Sequence, residues 1–211
     1  GNPSKGAGRE GVLRACSSGL VAVVTTAVDN RLVAVRAMKP GDFLFPISGR
    51  RTRTPSKYSV QIAADWHVDP GVGPRAQEAM DEHFWRFMNH SCEPNVMLRD
   101  QRVVVLRPIH PGEDVTFDYH TTEYELAEPF GCRCGSARCV GMVRGFRYLS
   151  SGERERLRPQ LPDYLLRYLD PLANPATVDI RLAAPLDTTF RGGSASLHHV
   201  PTSEGARHGV D

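Results

Sequence analysis

Long apolar runs are missing from this chain. The longest, residues 20–24 and 103–106, fall far short of the ~18 residues a helix needs to cross a bilayer, which excludes a helical membrane protein. A large excess of either charge is missing too: 26 Lys and Arg face 24 Asp and Glu, a formal net charge of +2. Dedicated nucleic-acid binders concentrate far more positive charge, so no direct nucleic-acid contact is expected. Cysteine is scarce and odd in number, with Cys16, Cys92, Cys132, Cys134 and Cys139 clustered toward one end. A secreted disulfide framework is normally even and spread out, so a reducing compartment is expected. Gly1-Asn2-Pro3-Ser4-Lys5 shows no basic segment leading into an apolar one, so no secretory signal is expected and the cytoplasm is the default location. What is present, 40% hydrophobic and 24% charged residues over 211 positions, suits one globular domain of about 150 residues with appendages.

Local chemistry sketches the rest. Residues 1–11 are glycine-rich and polar and read as a flexible leader. β-Branched residues dominate 20–28 and 32–37, which favours two strands, with Asp29-Asn30 as turn chemistry between them. Residues 43–47, 58–62, 96–98, 103–106 and 115–119 read as further strands, and Asp100-Gln101 joins the third and fourth of these. The basic run 50–57 reads as a solvated loop or a contact for an acidic partner. Prolines and glycines mark 68–74 as a loop. Ala76, Met80, Phe84 and Phe87 recur at near-helical spacing and predict a helix over 74–87, with Pro74 in its first turn. Ser150 followed by Glu153 is a capping-box pattern opening a second helical stretch, interrupted by Pro159 and Pro162. The last residues, 185–211, lack periodicity and read as a disordered or docking tail. The fold class expected is mostly β with peripheral helices.

Three constellations carry chemistry. In Cys132-Arg133-Cys134-Gly135-Ser136-Ala137-Arg138-Cys139, three thiolates converge only if a compact turn folds around something, and Zn²⁺ is the usual occupant. A fourth ligand is then needed, from Cys16 or Cys92, with His90 as a rival. Asn89-His90-Ser91-Cys92-Glu93-Pro94-Asn95 is a polar turn beside the apolar wall Phe84-Trp85-Arg86-Phe87-Met88. It can hold an adenine-like ring, or its Asn and His side chains can simply satisfy buried backbone groups. Finally, Pro111-Gly112-Glu113-Asp114-Val115-Thr116-Phe117-Asp118-Tyr119 feeds a strand that delivers Tyr119 at its far end, as a catalyst or as core packing with a wet hydroxyl.

In order and content, 89–95, 112–119 and 132–139 resemble the signature of SET-domain methyltransferases, and 32–49 resembles the opening strands of that family. The resemblance spans about 20–149. It implies a β-clip-like fold of several small sheets: a leader at 1–19, a SET domain at 20–128, a zinc-bound post-SET segment at 129–149, a helical extension at 150–184 and the tail at 185–211. It implies an S-adenosylmethionine-dependent methyltransferase acting on a lysine of a protein or peptide. The alternatives are a SET-like binding or scaffold module without transfer, and a SET-fold enzyme acting on a small molecule. By the same resemblance Tyr119 borders the methyl-transfer point, Asn89 and His90 contact the cofactor, and Met142 and Val143 pack near its adenine. Cys92, Cys132, Cys134 and Cys139 would hold one structural zinc, and Tyr58, Phe130 and Tyr148 would line the lysine channel. One departure stands out. The Gly-x-Gly turn common in the family is replaced by Val28-Asp29-Asn30-Arg31, where Asn30 can adopt positive φ and so form a substitute turn, with Asn30 and Arg31 as the cofactor-facing residues there.

Overall fold

The computed structural model describes residues 12–27, 30–71 and 81–170. In chain order the strands are β1 (Val12–Ala15), β2 (Val21–Thr25), β3 (Asn30–Ala34), β4 (Phe43–Pro46), β5 (Arg50–Thr52), β6 (Val60–Ala63) and β7 (Trp66–Asp69). They continue with β8 (Asn89–His90), β9 (Val96–Arg99), β10 (Arg102–Val105), β11 (Thr116–Phe117), β12 (Phe130–Gly131) and β13 (Met142–Val143). Two short α-helices follow, α1 (Ser151–Leu157) and α2 (Asp163–Leu166).

The strands form five small sheets, in the orders β1-β2-β3, β4-β10-β9, β5-β7-β6, β8-β11 and β12-β13. All pairings are antiparallel except the parallel pair of β8 with β11. The β-branched segments keep one buried face: Val21, Val23, Leu32, Val68, Val96 and Val103 meet Trp85, Met88 and Ile109 in one core. A second cluster, Phe146, Leu149, Leu157, Leu161 and Leu165, lies under the C-terminal helices. Asp100 and Gln101 both take positive φ, 50° and 60°, as a two-residue hairpin turn between β9 and β10 requires. The capping box also forms: Ser150 Oγ accepts from the Glu153 N–H while the Glu153 carboxylate accepts from the Ser150 N–H.

The mostly β class and the separate small sheets agree with the sequence. Several finer expectations change. The leader expected over 1–19 gives way to strand at β1, whose pairing with β2 is a tertiary contact that local composition does not encode. Of the helix expected over 74–87, residues 74–80 lie outside the described residues, and Phe84–Phe87 forms a buried 3₁₀ turn. Val68 and Asp69 belong to β7 rather than a loop, because β7 is the central strand between β5 and β6. Arg50–Thr52 of the basic run is an edge strand, where charged side chains face water while the backbone pairs with β7. Asn30 opens β3 opposite Thr25 and has no positive φ, so it is a strand residue and not the substitute turn. Val28 and Asp29, the leader's first residues and the 185–211 tail lie outside the described residues. Among the described residues no helix is long and apolar enough to cross a membrane.

Candidate active site and metal centre

The parallel pair of β8 with β11 sets Asn89 beside Thr116 and His90 beside Phe117. Two residues of pairing are a weak fastening, and Asn95 reinforces it. Its buried side-chain amide donates to the Asp114 carbonyl at 2.7 Å and accepts from the Thr116 N–H at 2.9 Å. The Asn95 N–H adds a bond to the Thr116 carbonyl. Asn95 is therefore spent on backbone groups and is a lock rather than a ligand.

Tyr119 does not end the strand. β11 stops at Phe117, and Tyr119–Thr121 turns as a 3₁₀ segment capped by the Asp118 carboxylate, which accepts from the His120 N–H. The half-buried Tyr119 ring packs on Phe117 (4.7 Å between centroids), His90 (5.3 Å) and Phe130 (5.9 Å), and its hydroxyl donates to the Met88 carbonyl at 2.8 Å. The His90 side chain is only 1% exposed. Burial pushes its pKa down to about 4 against the pull of the Asp118 carboxylate, so the ring is neutral at physiological pH. Its Nδ1 accepts from the Tyr119 N–H at 3.2 Å, and its Nε2 lies 3.3 Å from Cys92 Sγ.

Asn89, Asn30 and Arg31 are brought together. The Asn89 amide reaches the Asn30 carbonyl at 3.5 Å, and Arg31 pairs with Asp114. Asn30 Oδ1 and Arg31 Nε, an acceptor and a donor, are buried with no partner. A polar ligand fits these orphaned groups. Met142 is 46% exposed and offers an apolar face, whereas Val143, its neighbour on β13, is wholly buried because successive strand residues point to opposite sides. Of the two residues expected near the adenine, the Met142 side chain is open to solvent and the Val143 side chain is not.

Of the expected channel residues, Phe130 stands against both His90 and Tyr119. Tyr58 and Tyr148 take other partners. The Arg86 guanidinium lies 4.0 Å from the Tyr58 ring, and Tyr148 donates to Glu125 at 2.6 Å with half its surface in water.

Cys92, Cys132, Cys134 and Cys139 place their sulfurs within 4.8 Å of one another, while Cys16 is buried in the main core. The Cys92 and Cys132 sulfurs are 4.0 Å apart, near the ~3.8 Å edge of a tetrahedron with 2.3 Å zinc–sulfur bonds. Burial pushes the Cys92 thiol up, and the Cys132 thiol to about 11, so neither ionises at neutral pH without a cation beside it. The donor set, four sulfurs with no oxygen, fits a closed structural zinc site.

Sequence reasoning missed a buried polar group behind this site. The Glu123 carboxylate accepts from the Gln61 N–H at 2.7 Å and from the Thr122 hydroxyl at 3.2 Å, and it faces His67 at 3.5 Å. Tyr164, from α2, bonds both the Gln61 and the Thr122 carbonyls at 2.9 Å. The only local signal was a carboxylate four residues past Tyr119.

Comparison with known proteins places this geometry. Residues 30–120 match the family model of the SET domain. Methyltransferase flvH of Aspergillus flavus is 33% identical over 104 residues, covering 46% of this chain and 58% of the relative. Histone-lysine N-methyltransferase ash1 of Drosophila melanogaster is 33% identical over 101 residues, 44% of this chain and 4% of the relative. A Yarrowia lipolytica histone-lysine N-methyltransferase, H3 lysine-36 specific, is 43% identical over 68 residues, 28% of this chain and 9% of the relative. Among solved structures, the methyltransferase domain of human SETMAR aligns with a TM-score of 0.43 at 19% identity, covering 57% of this chain and 56% of that one. The chain thus spans little more than half of flvH and a small part of the longer relatives. Residues 30–120 thus match the SET domain, and the fold gathers the motifs of that segment around Tyr119.

Proposed function

We propose that this chain is an S-adenosylmethionine-dependent protein-lysine methyltransferase with one structural zinc. The observation that carries the reading is convergence. The Tyr119 phenol, the Phe130 ring and the Asn89-His90 strand meet at one place, with the orphaned Asn30 and Arg31 atoms on the Asn89 side and four sulfurs on the His90 side. The names of the histone-lysine N-methyltransferase relatives support a protein lysine as acceptor. The domain assignment follows the same reading: a SET domain to about residue 128, a post-SET zinc segment at 129–149 and a helical extension from 150.

S-adenosylmethionine, when bound, supplies an electrophilic methyl group on a sulfonium. Transfer to an amine is an in-line displacement, and the residues' task is to align the reacting atoms at ~3 Å and keep the lysine neutral. A free lysine has a pKa of about 10.4. Phe130 and the Tyr119 ring disfavour the ammonium by desolvation. With its proton committed to the Met88 carbonyl, the Tyr119 oxygen presents its lone pairs to the amine and the moving methyl. Cys92, Cys132, Cys134 and Cys139 would complete the zinc shell and leave no open position for water, so the metal's task is to hold the 132–139 turn.

The test is Tyr119→Phe in a labelled-methyl assay with cell extract and purified histones, beside calorimetry with S-adenosylhomocysteine. The variant is expected to bind S-adenosylhomocysteine and lose at least about 10²-fold in turnover. Unchanged turnover refutes the role of Tyr119. A parent chain that does not bind S-adenosylhomocysteine is the scaffold of the alternative reading, and label appearing only in small molecules replaces the protein acceptor.

A further inference from the structure

One imidazole joins the sulfur cluster to the tyrosine turn. The His90 ring is sealed from water on all sides but 1% of its surface, so each ring nitrogen must find its partner within the protein. Nδ1 lies 3.2 Å from the Tyr119 backbone nitrogen, a group that can only donate, so Nδ1 accepts and the ring proton sits on Nε2. Asp118 does not compete for that proton, because its Oδ1 is 3.6 Å from Nδ1 and already takes the His120 Nδ1–H at 2.7 Å. The Nε2–H therefore points at Cys92 Sγ, 3.3 Å away.

We propose that His90 is a positioning residue whose two ring nitrogens couple the metal centre to the catalytic turn. The Nε2–H steadies the Cys92 sulfur and draws charge from it, while Nδ1 fixes the Tyr119 amide and through it the phenol. Emptying the sulfur site frees Cys92, loosens the ring and lets the Tyr119 turn breathe. This inference rests on the zinc reading and the role of Tyr119 proposed above, and it makes His90 more than a cofactor contact.

The two bonds can be cut separately. An asparagine amide places its oxygen near Nδ1 of the ring it replaces, and a glutamine amide places its nitrogen near Nε2. His90→Phe, His90→Asn and His90→Gln in the full chain are compared by zinc competition with a chromophoric chelator and by hydrogen exchange at the Tyr119 amide. His90→Phe is expected to weaken zinc by about 10-fold or more, as loss of an outer-shell partner does elsewhere, and to speed exchange at Tyr119. His90→Gln should recover zinc affinity but not amide protection, and His90→Asn the reverse. Removing zinc from the parent should also speed exchange at Tyr119. Zinc affinity within twofold of the parent in His90→Phe, equal zinc affinity in His90→Gln and His90→Asn, or Tyr119 exchange indifferent to zinc overturns the coupling. If His90→Phe does not fold, the other two variants and the zinc-removal arm decide. Neither readout needs turnover, so a chain that transfers no methyl group sinks the proposed activity without touching this result.

Discussion

Replacing Asn95 by alanine tests whether two neighbouring asparagines have been assigned to opposite tasks. Asn95 is 2% exposed, and its amide closes bonds of 2.7 Å to the Asp114 carbonyl and 2.9 Å from the Thr116 N–H. Asn95→Ala removes both partners at once and strands a carbonyl and an N–H away from water. At about 1–1.5 kcal/mol for each bond, the loss of folding stability is about 2–3 kcal/mol. For a chain of this size that lowers Tm by about 4–12 °C. Asn89 stands six residues earlier in the same turn, yet it is half-buried and makes only a 3.5 Å contact to the Asn30 carbonyl. Asn89→Ala is therefore expected to cost less than about 0.5 kcal/mol in urea unfolding while weakening S-adenosylhomocysteine binding in calorimetry. The reasoning fails if Asn95→Ala costs less than about 0.5 kcal/mol, or if Asn89→Ala destabilises as much as Asn95→Ala.

Three further outcomes can be checked. Leu165, fully buried in the second cluster, should cost about 2–5 kcal/mol on truncation to alanine, read by urea unfolding; less than 1 kcal/mol would mean that the cluster adds little. Metal analysis of protein purified without chelator should find about one zinc per chain, and Cys134→Ser should lower that occupancy. Ser150→Ala removes one half of the capping box and should cost about 1 kcal/mol near neutral pH. Because the Ser150 hydroxyl holds the Glu153 carboxyl below its ordinary range, that stability is present above about pH 4.3 and fades as the carboxylate protonates, so parent and variant should converge in acid.

What could be read in the sequence is what neighbours in the chain decide. Ser150 and Glu153 are three residues apart, Asp100 and Gln101 are adjacent, and three of the four clustered cysteines lie within eight positions, so each pattern states its own geometry. Val68 and Asp69 of β7 were read as loop because the prolines and glycines of 70–74 follow them, and their strand character comes from two partners, β5 and β6, that local propensity does not see. Asn30 was read as a turn from its own conformational tolerance, but pairing with Thr25 across β2 overrides that preference. The candidate site divides in the same way. Residue types at Tyr119, Asn89 and the cysteines were legible from motif spacing. The direction each ring faces was not, since it is set by partners that only the fold brings up: the Tyr119 N–H at His90 and the Arg86 guanidinium over Tyr58.

The segment beyond the family match bears on the same point. The match ends at residue 120, one position after Tyr119, yet the groups that fix the next five residues come from elsewhere in the chain. Gln61 on β6 donates its N–H to Glu123 and accepts from the Tyr124 N–H at 2.8 Å. Tyr164 on α2 bonds the carbonyls of Gln61 and Thr122 across 103 and 42 residues of sequence. Gly145, at φ 118°, brings the chain so close that an added Cβ would stand 2.6 Å from the Tyr124 carbonyl, and the N–H groups of Phe146 and Arg147 then bond the carbonyls of Glu123 and Tyr124. A side chain at position 145 would push that crossing apart. Residues 122–125 are thus held from β6 on one side and from the C-terminal extension on the other. A chain cut after residue 149 would keep Asn89–Asn95, Gly112–Tyr119 and the four clustered cysteines, and lose the Tyr164 fastening along with Leu157, Leu161 and Leu165 of the second cluster. The C-terminal helices therefore help to hold Thr122, whose N–H bonds the Tyr119 carbonyl, so the setting of Tyr119 draws on residues beyond the matched segment.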